Sequence, residues 1–354
     1  MASDRILITG GSGFIGTNLV EHCLAAGVPV TNFDHAAPQA PGHRRSWYRG
    51  DILDAAAVLR VVDDFAPTHI VHLAARVDIW GRKVADYPAN IAGVRNLIAA
   101  AERAPGLRRI VFVSSRMVAR IGYIPHAHDD YCPPNAYGES KAIGERIVRE
   151  SALPCSWVIV RPTSIWGPWF GVPYKDFFMA IARNRYVHVR GLSLRKSFGF
   201  VLNSVQQLDA LLRAPQGAVH GKTMYLADYP PIRVEEMAEC IAREAGARKI
   251  RTVPLAALKP IAIAGDALQR LGWTEPPLTT FRLSNLVTEM VYDLAPLEQV
   301  VGPLPYSMQD GVRITVDWLR AQGALPHPAR RAPGREQRVL GGRSPARWRS
   351  TRGS

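Results

Sequence analysis

A glycine-rich turn close to the N-terminus constrains this chain more than any other feature of its sequence. Thr9–Gly16 reads T-G-G-S-G-F-I-G, with glycines at 10, 13 and 16. The apolar run Arg5–Thr9 before it is typical of a buried parallel strand, and apolar residues at every fourth position from Ile15 predict a helix that ends at Gly27. Glycines between a strand and a helix allow a tight turn and let backbone N–H groups approach an anion. The pattern therefore predicts the start of a βαβ unit that binds the pyrophosphate of a dinucleotide.

A single acid follows at the distance that such a unit requires. Asp34 ends the second predicted strand, Val28–Phe33, eighteen residues after the glycine motif. A carboxylate there accepts both hydroxyls of the adenosine ribose and repels a 2′-phosphate, which favours NAD over NADP. The neighbouring His35, Arg44 and Arg45 leave NADP open as the cofactor.

A second acid, in Gly50-Asp51-Ile52, could lie near the adenine of the cofactor. The alternative is a turn that leads into a helix whose N-cap is Asp54. The residues leave both interpretations open.

Strands and helices alternate through the first half of the chain. Further strands are predicted over 69–74, 109–114 and 157–160, and further helices over 55–65, 90–104 and 137–152. Helices of this length between strands imply βαβ crossovers, and hence an α/β fold with a doubly wound, Rossmann-like parallel sheet. After Arg161-Pro162 the pattern loosens, with helices predicted over 174–184, 205–213, 234–246, 255–271 and 308–322. We expect an NAD-binding domain over residues 1–162 and a smaller C-terminal substrate-binding lobe of mixed α/β structure over 163–325, some of whose elements return to the main sheet.

The charge of the chain is divided unevenly. Residues 326–354 hold eight arginines and one glutamate, so this tail carries half of the formal net charge of +14. Its Pro, Gly and Arg content predicts a basic, disordered tail. The remaining body is mildly basic, which suits anionic small molecules better than a nucleic-acid backbone. We therefore expect a small-molecule substrate and no nucleic-acid partner.

The cysteines and the hydropathy pattern bear on the cellular environment. The four cysteines, at 23, 132, 155 and 240, form no C-x-x-C pair, so neither a disulfide framework nor a metal site is indicated. No apolar run approaches the roughly 20 residues of a membrane span, and the N-terminus lacks a secretory signal pattern. We expect a cytoplasmic protein without a membrane span.

A tyrosine and a lysine form the candidate catalytic pair. Tyr137 and Lys141, in Y-G-E-S-K, are at positions i and i+4 of a predicted helix and share one face. An ammonium beside a phenol lowers the pKa of the phenol from about 10 toward working pH, which makes a proton shuttle for an alcohol and its ketone. Ser115 ends the fourth predicted strand, where its hydroxyl can bind the substrate oxygen. A surface Tyr–Lys pair is the alternative, and the upstream dinucleotide motif favours catalysis.

These motifs together resemble those of the extended short-chain dehydrogenase/reductase family, in its NAD-dependent epimerase/dehydratase group. The resemblance extends from about residue 4 to residue 170. The matching segments are T-G-G-S-G-F-I-G, Asp34, H-L-A-A at 72–75, N-I-A-G-V-R-N at 90–96, V-S-S at 113–115, Y-G-E-S-K, and R-P at 161–162.

The resemblance implies an enzyme in which Tyr137 is the acid and base, Lys141 holds the nicotinamide ribose and Ser115 binds the reacting oxygen. It also implies a homodimer through helices 90–104 and 137–152. The cofactor-binding residues expected from the motifs and the resemblance are Gly10, Gly13, Phe14, Ile15, Gly16, Asp34, Asp51, Ile52, Leu73, Ala74, Ala75, Tyr137, Lys141 and Pro162.

Departures from the family pattern narrow the chemistry. Where nucleotide-sugar 4,6-dehydratases have T-D-E, this chain has Ser115-Arg116-Met117, which disfavours dehydration. The Asn of R-x-x-N in sugar epimerases is replaced by Ser164. Lys196 stands where the family often has an Arg for a pyrophosphate, and Arg282 is a possible second clamp. The candidate substrate residues are Asn90, Ser164, Lys196 and Arg282, and no metal site is expected.

The leading hypothesis from the sequence is an NAD-dependent nucleotide-sugar epimerase or a related oxidoreductase. Tyr137 takes a hydroxyl proton, hydride passes to the nicotinamide, and the keto intermediate is reduced again on either face. The alternative is an oxidoreductase resembling 3β-hydroxysteroid dehydrogenases, which the missing Asn and the aromatic segments Trp80–Lys83 and Trp166–Phe170 favour. A non-enzymatic NAD-sensing module needs no Tyr–Lys pair, so the intact pair argues against it.

Overall fold

The computed structural model describes residues 4–326 except 274, 275 and 277. The predicted basic tail over 326–354 lies, apart from Pro326, outside the described residues. The strands are β1 (Ile6–Thr9), β2 (Val30–Asp34), β3 (Trp47–Arg49), β4 (His69–His72), β5 (Arg109–Val113), β6 (Ser156–Pro162), β7 (Ser164–Trp166), β8 (Val187–Val189), β9 (Arg195–Lys196), β10 (Phe198–Phe200), β11 (Thr223–Leu226), β12 (Ile232–Arg233) and β13 (Arg251–Val253).

Helices separate most of these strands. They are α1 (Phe14–Ala25), α2 (Ala55–Phe65), α3 (Pro88–Ala101), α4 (Ala136–Glu150), α5 (Tyr174–Ala182), α6 (Val201–Arg213), α7 (Gln216–Val219), α8 (Val234–Ala245), α9 (Leu255–Arg270), α10 (Thr280–Val287), α11 (Ala295–Val301) and α12 (Met308–Ala321). Within the part of the chain that the structure describes, no helix combines the length and the apolar character needed to cross a bilayer.

The central sheet has seven strands in the order β11-β6-β5-β4-β1-β2-β3. Every neighbouring pair is parallel. The chain runs outward from β1 to β3 on one side and from β4 to β6 on the other, so the direction of winding reverses between β1 and β4. The predicted α/β fold with a doubly wound, Rossmann-like parallel sheet is confirmed. Ligands of such sheets bind outside the carboxyl ends of the strands at this reversal.

Both faces of the sheet are covered by apolar helix faces. One face packs against α1, α6 and α11 through residues such as Leu19, Leu208 and Leu297. The other packs against α2, α3 and α4 through residues such as Val58 and Leu97. Burial on both faces explains why the central strands are nearly continuous apolar runs.

Two strands of this sheet were not predicted as parts of it. β3 lies at one edge and pairs with β2, where the Trp47 indole also donates to the Asp34 carbonyl oxygen at 2.9 Å. β11 lies at the other edge and pairs with β6. Together with α6 and α11, β11 is a part of the C-terminal half that packs onto the main body.

The C-terminal lobe has an aromatic core of its own. Trp166, Phe178 and Phe200 are buried with ring centroids 5.1 to 5.5 Å apart, and they pack against α5, α8 and α12. Trp166 and Phe170 are therefore part of the lobe packing. By contrast, the Trp80 side chain is 60% exposed on its loop.

Candidate active site

The glycine turn has the geometry that its sequence predicts. Gly10 has a φ of +76°, and a Cβ there would lie 2.6 Å from the Ala74 backbone nitrogen. A Cβ at Gly16 would lie 2.3 Å from the Gly10 carbonyl oxygen. Gly13 is exposed, and a Cβ there would meet only the Gly10 carbonyl oxygen, at a tight 3.3 Å. Gly13 is also the N-cap of α1, and no side chain caps this helix.

This arrangement fits a dinucleotide. The backbone is closely packed at Gly10 and Gly16, while Gly13 faces open space at the positive end of α1. An anionic group can approach there without meeting a side chain. Gly10, Gly13 and Gly16 are therefore the residues that would hold the pyrophosphate, with Phe14 and Ile15 beginning the helix behind it.

The carboxylate of Asp34 lies beside the turn. Its Oδ2 accepts from the backbone N–H of Ser12 at 3.0 Å, and its Oδ1 accepts from that of Ala36 at 2.9 Å. The side chain of Ser12 ties the turn further, because its hydroxyl donates to the Ala36 carbonyl oxygen at 2.8 Å. Asp34 thus ends β2 within the cofactor crevice, where a ribose contact was predicted.

The segment after β4 lies along the same crevice. Leu73 donates its backbone N–H to the Thr9 carbonyl oxygen at 2.9 Å, so the segment continues parallel to the end of β1. Leu73, Ala74 and Ala75 are all half-buried. Pro162 ends β6 on the other side of the crevice, opposite Leu226 of β11.

Asp51 and Ile52 lie in a turn before α2. The Asp51 carboxylate accepts from the backbone N–H of Leu53 at 2.9 Å, and Asp54 caps α2 by accepting from that of Ala57 at 3.0 Å. Ile52 is buried against Gly93 of α3. The turn-and-cap interpretation therefore accounts for the hydrogen bonds made by these carboxylates.

The three predicted catalytic residues lie at the carboxyl end of β5. Tyr137 and Lys141 share the buried face of α4, whose N-cap Asn135 accepts from the backbone N–H of Gly138 at 2.9 Å. Ser115 begins a 3₁₀ turn, Arg116–Val118, and its hydroxyl oxygen accepts from the backbone N–H of Met117 at 3.1 Å. A Cβ at Gly138 would lie 2.1 Å from the Met117 carbonyl oxygen, so this glycine lets α4 approach the serine turn.

Burial dominates the electrostatics of this group. It raises the pKa of Tyr137, against the Ser115 hydroxyl and the charge of Arg116, which both lower it. It lowers the pKa of Lys141 to about 8, against the charge of Glu145. The Lys141 ammonium donates to the Val113 carbonyl oxygen at 2.7 Å. The sequence predicted that Lys141 lowers the pKa of the tyrosine, but the cation that does so in this structure is Arg116.

A small cavity of about 20 Å³ lies behind Lys141, lined by residues that include His72, Asn90 and Glu145. Its size admits a single water molecule. Burial lowers the pKa of His72 to about 3, with the charge of Lys141 adding to the shift. The imidazole is therefore neutral, and its Nδ1 lies 2.7 Å from the Thr9 hydroxyl oxygen.

Asn90 was predicted to contact the substrate, and in the structure its side chain is hydrogen-bonded to other residues of the protein. Its Oδ1 accepts from the backbone N–H of Arg76 at 2.9 Å. Its Nδ2 donates to the Arg76 carbonyl oxygen at 3.1 Å and to the Ser140 hydroxyl at 2.9 Å. The buried side chain therefore joins the segment after β4 to α4, the helix that carries Tyr137 and Lys141.

The other predicted substrate residues line the lobe side. Ser164 is buried on β7, and Lys196 on β9 is 7% exposed with its ammonium donating to the Asn285 carbonyl oxygen. Arg282 on α10 donates from Nη1 to the Pro276 carbonyl oxygen at 2.9 Å. The structure brings Lys196 near Arg116, whose charge contributes to lowering the pKa of the lysine to about 8, after burial.

Sequence reasoning assigned no electrostatic role to Arg116. Burial raises the pKa of Tyr137, Tyr174 and Tyr292, and the charge of Arg116 acts against that rise in each of them. Tyr292 stacks on Tyr225 with ring centroids 4.4 Å apart. The only sequence signal was the triplet Ser115-Arg116-Met117, which was used to disfavour dehydration and assigned the arginine no role.

Comparison with known proteins identifies the family of this chain. The model of the NAD dependent epimerase/dehydratase family matches residues 6–227. The chain belongs to this family. As a member of the NAD-dependent epimerase/dehydratase family, the protein is an enzyme that uses NAD, and the predicted family resemblance is confirmed.

Relatives within the epimerase/dehydratase family have diverse names. A 3 beta-hydroxysteroid dehydrogenase/Delta 5-4-isomerase of Mycobacterium tuberculosis is 29% identical and covers 85% of this chain and 86% of its own length. A 2-alkyl-3-oxoalkanoate reductase of Stenotrophomonas maltophilia is 27% identical and covers 87% of this chain and 97% of its own length. The solved structure of a UDP-glucose 4-epimerase of Thermus thermophilus with NAD aligns with a TM-score of 0.65 at 20% identity, covering 89% of this chain and 99% of that one. This last likeness concerns the fold.

Proposed function

We propose that the protein is an NAD-dependent oxidoreductase that interconverts a secondary alcohol and its ketone on a predominantly apolar substrate. The observation that carries this proposal is that the two side chains predicted to bind a diphosphate, those of Lys196 and Arg282, are hydrogen-bonded within the protein. Lys196 is buried and donates to the Asn285 carbonyl oxygen, and Arg282 donates to that of Pro276. Both groups are bound to the protein's own backbone, and a serine stands at 164 where sugar epimerases have an asparagine.

The lining of the cleft supports an apolar substrate. The lobe side carries an aromatic group in which Tyr292 stacks on Tyr225 with ring centroids 4.4 Å apart and Tyr174 packs edge-on against Phe198 at 6.2 Å. Aromatic rings of this kind pack against alicyclic or acyl surfaces and orient them with their hydroxyls. Two of the relatives, the hydroxysteroid dehydrogenase and the oxoalkanoate reductase, are named for reactions at a carbinol or ketone carbon of such molecules.

The proton chemistry follows from the serine and the tyrosine. The Ser115 hydroxyl lies close enough to that of Tyr137 to lower its pKa, so the two can hold one substrate oxygen between them. In oxidation Tyr137 accepts the hydroxyl proton, and in reduction it donates the proton to the carbonyl oxygen. Its burial excludes bulk water from this transfer.

Lys141 and Glu145 follow Tyr137 at successive turns on the buried face of α4. The Lys141 ammonium is held by the Val113 carbonyl oxygen and would also hold the nicotinamide ribose. Glu145, one helical turn further along α4, raises the pKa of Lys141 against burial and so favours its charged form. When bound, the nicotinamide accepts a hydride from the carbinol carbon or supplies one to the ketone.

A recycling nucleotide-sugar epimerase is the second candidate. The charge of Arg116 acts on the buried Lys196 and adds to the lowering of its pKa, and a diphosphate is a suitable anion for two neighbouring cations. The epimerase would use the same Tyr137 chemistry but return the hydride to the same molecule.

Net NADH production distinguishes the two candidates. The purified protein is incubated with NAD and either dehydroepiandrosterone, 2-decanol or UDP-glucose, while NADH absorbance and sugar epimers are measured. We expect NADH in proportion to product from one of the alcohols. Tyr137→Phe should reduce this rate by about a hundredfold or more, whereas Tyr48→Phe on the distant edge strand β3 should not. Conversion of UDP-glucose to an epimer without NADH would replace this proposal by the second candidate.

We also infer a homodimer formed through the outer faces of α3 and α4. These helices pack on each other and leave between them a groove that includes Arg95, Ala99 and Ile147. Light scattering after gel filtration should give twice the chain mass of 39.0 kDa. Ala99→Arg, at an exposed position, should shift the mass to that of the monomer, and a monomeric wild type would refute the dimer.

A further inference from the structure

We propose that helix α9 binds to the surface of a lipid bilayer that contains anionic lipids, with its outer face at the boundary between head groups and acyl chains. This face presents Ile261, Ile263, Leu268 and Leu271, and Trp273 follows just beyond the helix end. These five side chains, which we call the α9 patch, are 38% to 83% exposed. The patch lies outside the catalytic residues, and its binding to lipid does not depend on the proposed reaction.

Only a narrow stripe of α9 packs on the protein. Its buried residues are Leu258, Ala262 and Gly265, which recur at intervals of four and three. Leu258 and Ala262 pack with Leu283 of α10, and a Cβ at Gly265 would lie 1.8 Å from the Leu278 carbonyl oxygen. An ordinary surface helix with such a stripe is polar on its opposite face.

The opposite face of α9 is apolar instead. Apart from Lys259, Gln269 and Arg270, every exposed position of the helix holds Ala, Pro, Ile or Leu. Lys259, Asp266 and Arg270 lie along one edge of the helix, because positions i, i+7 and i+11 share a face. Most of the helix circumference is therefore both apolar and exposed. A contiguous exposed apolar surface of this kind marks a binding surface for a protein or a membrane.

The charges that border the patch are mainly positive. Residues 247–273 contain five basic residues and one acid. The basic residues, all of them exposed, are Arg248, Lys249, Arg251, Lys259 and Arg270. The acid, Asp266, accepts from the backbone N–H and the hydroxyl of Thr280 at 3.0 and 2.6 Å. Cations beside an apolar helix face, with a tryptophan at its end, are typical of a helix that lies in the interface of an anionic membrane.

A lipid surface fits the patch better than a protein surface does. A specific protein interface makes about one hydrogen bond per 100–200 Å², whereas the patch is hydrocarbon except for the indole N–H of Trp273. The long stems of Lys259 and Arg270 can lie along the acyl boundary while their charged ends reach lipid phosphates. A second copy of this chain would bring two net positive surfaces together, which is unfavourable. The chain's own Arg-rich segment, residues 327–354, has the same sign of charge.

The patch is connected to the catalytic end of the sheet through α10. Helix α9 packs on α10, whose Asn285 carbonyl oxygen accepts from the Lys196 ammonium of β9. The loop after β5 approaches the end of α10, since a Cβ at Gly122 would lie 3.8 Å from Thr288 Cγ2. Ile124 in this loop is 79% exposed. A bilayer bound at α9 would therefore supply an apolar substrate on the side of the lobe that borders the carboxyl end of β5.

Vesicle sedimentation with the full-length protein tests the proposal. The vesicles consist of phosphatidylcholine, alone or mixed with phosphatidylglycerol, and the bound fraction gives a partition coefficient for each variant. Leu271→Ser removes an exposed apolar side chain of the patch, and Leu24→Ser on α1 is its matched control. Arg270→Gln removes a flanking cation, and Arg103→Gln, at an exposed position beyond the end of α3, is the control for charge.

We expect the wild type to bind vesicles with phosphatidylglycerol more tightly than vesicles without it. Leu271→Ser should lower the partition coefficient about tenfold on vesicles with phosphatidylglycerol, because a buried leucine contact with the acyl chains is lost. Arg270→Gln should lower it about fivefold on the same vesicles and little on phosphatidylcholine alone. Both controls should bind as the wild type does. Equal binding of Leu271→Ser and Leu24→Ser, or no binding of the wild type, overturns the proposal.

Tryptophan fluorescence shows whether the patch itself enters the bilayer. Vesicles whose acyl chains carry bromine quench an indole that contacts them, so the wild type should lose fluorescence on binding. Trp273→Phe should abolish most of this loss, whereas Trp80→Phe, which removes another exposed indole, should preserve it. Equal quenching in the wild type and Trp273→Phe would show that another part of the chain contacts the lipid, and it overturns the proposal.

Light scattering without lipid separates the bilayer from a second copy of the chain. The wild type and Leu271→Ser should have the same mass in solution. A lower mass for Leu271→Ser would assign the patch to an interface between two copies and overturn its assignment to lipid.

Discussion

Glu145 on α4 and Arg161 on β6 form a buried bidentate ion pair. Arg161 Nε lies 2.9 Å from Glu145 Oε1 and Nη2 lies 2.7 Å from Oε2, and both side chains are 2% exposed. The hydroxyls of Ser114 and Tyr131 donate to the same carboxylate at 2.6 and 3.1 Å. The pair therefore ties α4, which carries Tyr137 and Lys141, to the ends of β5 and β6.

Removal of either partner should destabilise the protein strongly. Glu145→Ala leaves the Arg161 guanidinium buried without its counter-charge, and we expect the free energy of unfolding to fall by about 3 to 5 kcal/mol. Urea denaturation followed by circular dichroism measures it. Arg313→Ala, at the exposed pair with Asp310, should change it by less than about 1 kcal/mol. A similar small change in both variants would show that the buried pair contributes little.

Two glycines of the cofactor turn should respond differently to the same substitution. Gly16→Ala places a methyl group 2.3 Å from the Gly10 carbonyl oxygen, so we expect a lower melting temperature. Gly13→Ala places its methyl group 3.3 Å from the Gly10 carbonyl oxygen, a milder contact, and in the position where the pyrophosphate would lie. We expect Gly13→Ala to lower the melting temperature less than Gly16→Ala does and to bind NADH at least about tenfold more weakly, as measured by NADH fluorescence. Normal NADH affinity in Gly13→Ala would contradict the assigned position of the pyrophosphate.

Asp34→Asn should weaken NAD binding. The asparagine retains an oxygen for the Ser12 backbone N–H but loses the acceptor for that of Ala36 and the charge that would bind ribose hydroxyls, so we expect about tenfold weaker NAD binding by calorimetry. NADP should bind better relative to NAD, because repulsion of the 2′-phosphate is removed. Asp63→Asn, at an exposed position of α2, is the control. Unchanged NAD affinity in Asp34→Asn would exclude the ribose contact.

A buried carboxyl at the end of β11 should make stability depend on pH. Burial raises the pKa of Asp228 to about 7, against the Phe200 backbone N–H and the Asn203 side chain, which lower it. Between the unfolded value of 3.8 and this value, the folded state retains a proton that the unfolded state has lost. The stabilisation is therefore complete below pH 3.8 and is lost as the pH rises through 7.

Asp228→Asn removes this dependence. We expect the variant to gain on the order of 2 kcal/mol relative to the wild type between pH 5 and pH 8, with the oxygen that accepts from Phe200 preserved. Free energies of unfolding at several pH values measure the difference. Asp63→Asn should show no such trend, and a constant difference between Asp228→Asn and the wild type would contradict the raised pKa.

The local parts of the site were predictable from the sequence. The glycine turn, Asp34 and the Tyr137–Lys141 pair depend on contacts between residues that are close in the chain or on one helix face. The predicted helix over 55–65 has the bounds of α2, because its apolar spacing and its cap are local signals.

The parts that depend on distant contacts were not predictable. β3 is three residues long and has no apolar alternation, so only its pairing with β2 makes it a strand. Asn90 lies within a family motif, but its partners Arg76 and Ser140 belong to two other segments. Tyr292 stacks on Tyr225 of β11, which lies far from it in the chain. The pattern of residue types along the sequence does not show which distant residues come into contact.

The edge strand β11 determines how far this chain can be shortened without exposing the edge of β6. β6 ends at Pro162, but its outer edge is covered only when β11 is added at Thr223–Leu226. The family model ends at residue 227, one residue beyond that strand. A fragment that stops at residue 162 would present the open edge of β6 to other chains and should self-associate. The smallest fragment of this chain that contains all seven strands of the sheet therefore includes the first part of the lobe.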